Sequence, residues 1–111
     1  MFTILSNITA YDSCSLHSST HDERIIGLFQ TLQEAKEAAL NIARPIFHRV
    51  HKVALESLSE EDRNDPNLFP FMDDGEVGVS VDYHPSLQEA SRYQADRISH
   101  NFMIKEIETA F

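Results

Sequence analysis

The chain has one cysteine, Cys14, no tryptophan and only three glycines, Gly27, Gly75 and Gly78. A single thiol closes no internal disulfide, so the fold must rest on its core, and nothing points to an oxidising compartment. Three scattered glycines leave no glycine-rich loop of the kind that cradles phosphates. Bases are also scarce, with nine Lys and Arg against 18 Asp and Glu and a net charge of −9. A grip on phosphate backbones or anionic bilayers needs the opposite balance, so the charge argues against direct nucleic-acid and membrane binding. No apolar run approaches the roughly 20 residues that cross a bilayer. Met1 to Ala10 lacks the basic and apolar regions of a secretory leader. A cytoplasmic location is the expectation, and the Asn7-Ile8-Thr9 sequon is then without use.

What is present suits one domain over residues 1–111, since 41% of the residues are hydrophobic and the chain is long enough for one core. A short phrase recurs, Thr31-Leu32-Gln33-Glu34-Ala35 and Ser86-Leu87-Gln88-Glu89-Ala90. In each, a hydroxyl precedes a glutamate by three residues, the capping-box spacing that opens a helix. Before the first box, alternation of Phe2, Ile4, Ile8 and Ala10 with Thr3, Asn7 and Thr9 predicts a strand over 2–10. The apolar run from Arg24 to Gln30 predicts a second. After the box, Leu32, Ala35, Ala39, Ile42, Ile46, Val50 and Val53 advance by three or four residues. They predict a long helix with one apolar stripe, kinked or divided at Pro45.

Residues 59–76 hold Pro66, Pro70 and Asp74-Gly75 and read as a long connection, with one helical turn begun at Ser59. Val77, Val79, Val81 and Tyr83 alternate with Gly78, Ser80 and Asp82 and predict a third strand. The second box opens a more polar helix to about His100, and residues 102–110 fit either a last strand or a continuation of that helix. The resulting order, β-β-α-β-α-β, predicts an α+β two-layer sandwich with a four-stranded mixed sheet and two helices on one face. Parallel neighbours in that sheet would be joined by right-handed crossovers.

Charge is uneven along the chain. Between Glu56 and Asp82 nine acids face one base, Arg63, a balance of −8. Inside this segment lies an apolar insert, Asn67-Leu68-Phe69-Pro70-Phe71-Met72. Aromatic residues dominate interface hot spots, so an acidic surface with an aromatic anchor is the leading expectation for function. Glu60, Glu61, Asp62, Asp65, Phe69, Phe71, Asp73, Asp74 and Glu76 would meet a basic protein partner. Carboxylates that imitate phosphates would make such a module an inhibitor, nucleic-acid-mimicking or immunity-type. The competing role for Leu68, Phe69 and Met72 is to pin the connection to the core.

Residues 11–23 read as a thirteen-residue loop that holds Cys14, His17 and His21. That spacing lets a thiolate and two imidazoles reach one zinc ion, joined by His48 or His51, which makes a metal-binding protein the alternative. The five Ser and Thr residues of the same stretch suit a plain solvated connection instead. Arg44, His48, Arg49, His51 and Lys52 give the later half of the first helix a basic surface. Complementing the helix dipole accounts for it, and so does a homodimer in which it meets the acidic segment of a second copy. The sheet face with Ser80 and Asp82 is a further candidate for a small molecule. Enzymatic constellations are lacking: Glu60, Glu61 and Asp62 are consecutive and cannot share one cleft, and no oxyanion-hole pattern accompanies Cys14. Neither an enzyme nor a cofactor is therefore expected. Phe29-x-Thr31-x-x-Glu34 ahead of an Ala-rich helix is similar to a pattern of small bacterial and phage proteins, and it implies no function.

Overall fold

The computed structural model describes residues 1–66 and 68–108. In chain order the elements are β1 Phe2–Asp12, β2 His17–Phe29, α1 Leu32–Ser57, α2 Glu60–Arg63, β3 Phe71–Asp74, β4 Gly78–Tyr83, α3 Leu87–Tyr93 and β5 Arg97–Glu106. The class is α+β, as expected, but among the described residues the sheet has five strands rather than four, in the order β2-β1-β5-β4-β3. Every neighbouring pair is antiparallel, so the expected mixed sheet is corrected. Three helices are formed by the described residues rather than two. Strands β2 and β3 form the two edges, and α1 connects them across one face.

The expected loop over 11–23 is a hairpin. β1 runs on to Asp12, β2 begins at His17, and only 13–16 turn between them. Asp12 shapes the turn by accepting hydrogen bonds from the Cys14 amide and the Ser15 hydroxyl, and Leu16 takes a left-handed conformation. The polar start of β2 escapes a pattern search because an edge strand has one flank without a partner and here exposes most of its residues. It carries two bulges, one near Asp22 (φ 54°) and one at Gly27 (φ 67°), each placing an extra β2 residue against β1. A side chain at Gly27 would also meet the Phe29 ring, its Cβ 2.8 Å from Cζ. Thr3 Oγ1 donates to the Gly27 carbonyl at 2.7 Å and fixes that bulge.

Thr31 caps α1 by accepting from the Glu34 amide at 3.1 Å, and Ser86 and Glu89 form the complete reciprocal box at α3. Ser59 caps the expected turn, α2. α1 is one helix through Pro45, which falls at a position whose lost acceptor, Asn41, faces solvent. Its buried ridge is Ala35, Ala39, Ala43 and Ala54, with Ile42, Ile46 and Val50 beside it, while Leu32 and Val53 of the expected stripe are exposed. Alanines at i, i+4 and i+8 let the helix axis approach the sheet closely, over Ile4, Val79, Val81, Ile98 and Phe102. Residues 59–76 also contain β3, too short and acidic to register as a strand. The second helix ends at Tyr93, with Gln94 left-handed at its cap, and not near His100. Residues from Arg97 to Glu106 are strand, and 109–110 of the expected last element lie outside the described residues.

Candidate functional site

Even-numbered residues of β5 (Ile98, His100, Phe102, Ile104) and odd-numbered residues of β4 (Val79, Val81, Tyr83) point toward α1. α3 lies on this side too, since Tyr83 bonds Glu89 and the Tyr93 ring packs at a tilt against His21. Where the later half of α1 meets the β4–α3 corner, the layers do not close. A cavity of about 430 Å³ is left, walled by Val50, Val53, Ala54, Leu58, Leu68 and Pro85. Ala54 opens it from the helix side by being small. Pro70 and Pro85, both buried, stiffen the two segments that form the opposite wall.

One end of this apolar space is polar. Tyr83 Oη donates to Glu89 Oε2 at 2.6 Å and lies 3.1 Å from His100 Nε2. With the phenol proton committed to Glu89, the phenol oxygen is the acceptor, so neutral His100 carries its proton on Nε2. The other Glu89 oxygen accepts from the Ser86 hydroxyl at 3.2 Å and the Ser86 amide at 3.4 Å. Burial, and then the bond to Glu89, hold the Tyr83 phenol well above its ordinary value, so it stays protonated. Burial and then the Arg49 charge push His100 below its ordinary 6.5, so it is neutral at pH 7. The three side chains satisfy one another. Arg49 lines the same cavity and makes no hydrogen bond or ion pair with a described residue.

No family model, curated protein or solved structure matches the chain. The site is therefore read from its own geometry. Sequence reasoning assigned Val50 and Val53 to the core, Glu89 to a cap and Arg49 to the dipole; no sequence spacing joins them, because α1, β4 and α3 meet only in the fold.

The acids of residues 56–82 form two groups. Asp74 Oδ1 pairs with Lys36 Nζ at 2.8 Å near the start of α1, and Asp73 and Glu76 adjoin it. Glu60, Glu61 and Asp62 follow the far end of α1. At 1.5 Å per residue the helix separates the groups by about 30 Å, several Debye lengths at physiological salt. Asp65 is half-buried and accepts from the Leu68 and Phe69 amides. Phe69 packs edge-on to His51 at 5.1 Å on the α1 side, whereas Phe71 lies beneath Arg97 at 5.5 Å on the opposite sheet face. The two aromatics therefore do not form one anchor, and Asn67 lies outside the described residues.

Cys14 is exposed at the hairpin tip, His17 begins β2, and His21 pairs with Ser19 at 2.7 Å while its ring packs on Tyr93. Among the described residues no group of three His, Cys, Asp or Glu is placed to hold a metal ion. His51 is held between Phe47 and Phe69, and His48 is exposed. The sheet face away from α1 bears a network centred on Asn101, whose amide donates to Asn7 Oδ1 and Thr9 Oγ1. Ser80 and Asp82 are on that face, where a hollow of about 260 Å³ lies against Asp73, Glu76 and Ser80. Gly78 stands at its floor, where an added Cβ would be 2.9 Å from the Phe102 carbonyl oxygen.

Proposed function

We propose that this protein is a small ligand-binding module, without catalytic activity, whose site is the cavity between α1 and the β4–α3 corner. The observation that carries this reading is the apolar volume itself, about 430 Å³ and within the range of small-molecule sites. The space opens to solvent past Arg49, Val53 and Ser57, which are exposed, as a cleft that admits a small ligand does. Tyr83 and Glu89 line its polar end and are already bonded to each other and to His100, and the reading assigns them no reaction.

The neutral fluorophore N-phenyl-1-naphthylamine tests the reading. Its emission is expected to rise on mixing with the protein at micromolar concentrations. Ser57→Phe, at an exposed position lining the cavity, should weaken binding about tenfold, ~1.4 kcal/mol, by filling the space without disturbing the core. Equal binding by the variant, with an unchanged melting temperature, would remove the cavity as the site.

A basic protein partner is the second reading, supported by the end of the molecule at α2. Glu60, Glu61 and Asp62 are all exposed there, and Arg63, the one base of the segment, turns back to donate to the Leu55 carbonyl. Charge reversal at these three acids is expected to abolish capture of a basic partner, with wild-type capture weakening as salt rises. Capture unaffected by the reversal would end this reading.

A further inference from the structure

We infer that the ligand of this cavity is an apolar molecule with a carboxylate head, and that Arg49 holds the head; this rests on the cavity being the binding site. Three observations carry it. The cavity walls are aliphatic, which suits a hydrocarbon or aryl body, and at about 30 Å³ for each water-sized unit the space takes roughly 14 such units, with its open side admitting a somewhat larger body. Next, the anion of the site is already satisfied: Glu89 accepts from Tyr83 through one oxygen and from Ser86 through the other, so it offers little to a cationic ligand. The Arg49 guanidinium is the lining group with donors to spare, and its planar fork matches a carboxylate.

Local charge agrees, although the chain as a whole is acidic. From residue 38 to residue 55 there is no Asp or Glu, while Arg44, Arg49 and Lys52 are all exposed on this half of α1. The Arg49 charge is felt at Tyr83 and at His100, which places its field over the polar end of the cavity. An acidic head held there by Arg49 shares the polar end with Glu89, whose carboxylate is engaged by three donated hydrogen bonds.

Displacement of N-phenyl-1-naphthylamine by decanoate and by 1-decanol, both below the concentration at which they aggregate, separates the head from the body. Wild-type protein should prefer decanoate about tenfold at pH 7.5. Arg49→Gln should lose that preference and keep its affinity for decanol, whereas Lys105→Gln, on the far sheet face, should behave as wild type. Equal affinity of the wild type for the two compounds, or a preference that survives Arg49→Gln, would overturn the carboxylate assignment and leave the cavity as the site. Failure of both compounds and of the fluorophore to bind would overturn the cavity reading itself.

Discussion

Ile98→Ala is expected to lower the unfolding free energy by about 3 kcal/mol and the melting temperature by ~10 °C or more. Ile98 is fully buried in β5, the central strand, between Ala10 of β1 and Tyr83 of β4, and belongs to the same core as the α1 alanines. Truncation removes three carbons from a fully buried place flanked on both sides by hydrogen-bonded strands, whose backbones are held by their ladders. The lost transfer energy is therefore joined by the energy of an unrelaxed hole. A domain this size holds about 5–15 kcal/mol in total, so one side chain accounts for a large share. The matched control is Ile25→Ala on edge strand β2, where the side chain is 74% exposed and the cost should stay below about 1 kcal/mol. Chemical denaturation of both variants checks the contrast. Similar losses at the two positions would mean that the core does not lie between α1 and the central strands.

Tyr83→Phe should cost about 1–3 kcal/mol although it removes a single oxygen. The ring remains, so packing is kept, but Glu89 Oε2 loses its 2.6 Å donor and His100 Nε2 its 3.1 Å acceptor, both within a partly buried site. Tyr11→Phe, at an exposed tyrosine, should be nearly neutral. A pH dependence accompanies the same group of residues. His100 is met by Tyr83 from β4, Glu89 from α3, Arg49 from α1 and Asp22 from β2, and on balance its proton affinity is lower folded than unfolded. The unfolded chain then binds the extra proton, so this contribution is fully present above pH 6.5 and is lost as the pH falls through 6.5 toward the lower folded value. Melting curves between pH 7.5 and 5 should show the loss in the wild type, and His100→Gln should flatten it. A melting temperature for Tyr83→Phe equal to that of the wild type would contradict the hydrogen-bonded chain described here.

Local rules carried much of the fold. The capping hydroxyls at Thr31, Ser59 and Ser86 mark helix starts because the backbone amides they satisfy lie within three residues. The alternation from Val77 to Tyr83 marks β4 because one face of the sheet is covered and the other is not. The polar half of β2 and the short β3, three of whose four residues are exposed while Met72 packs on the core, are edge segments, where pairing to a neighbour does more than side-chain burial to hold the strand. Such pairing leaves no periodic trace. Strand direction was misjudged for a related reason: a capped helix between two strands suggests a crossover to a parallel neighbour, yet α3 is only seven residues long and returns the chain antiparallel. The cavity was invisible to spacing altogether. Its residues come from α1, from the turn before β3 and from the β4–α3 corner, and Glu89 already had a local explanation as the partner of Ser86.

The central claim is that the unfilled space beneath the later half of α1 is where a ligand binds. Amide chemical shifts followed during titration with decanoate test it most directly. Shifts are predicted at Val50, Val53, Ala54, Leu68 and Ser86, with Asn7, Ser99 and Asn101 on the opposite sheet face unchanged. Shifts confined to that opposite face, or none anywhere at millimolar decanoate, would contradict it.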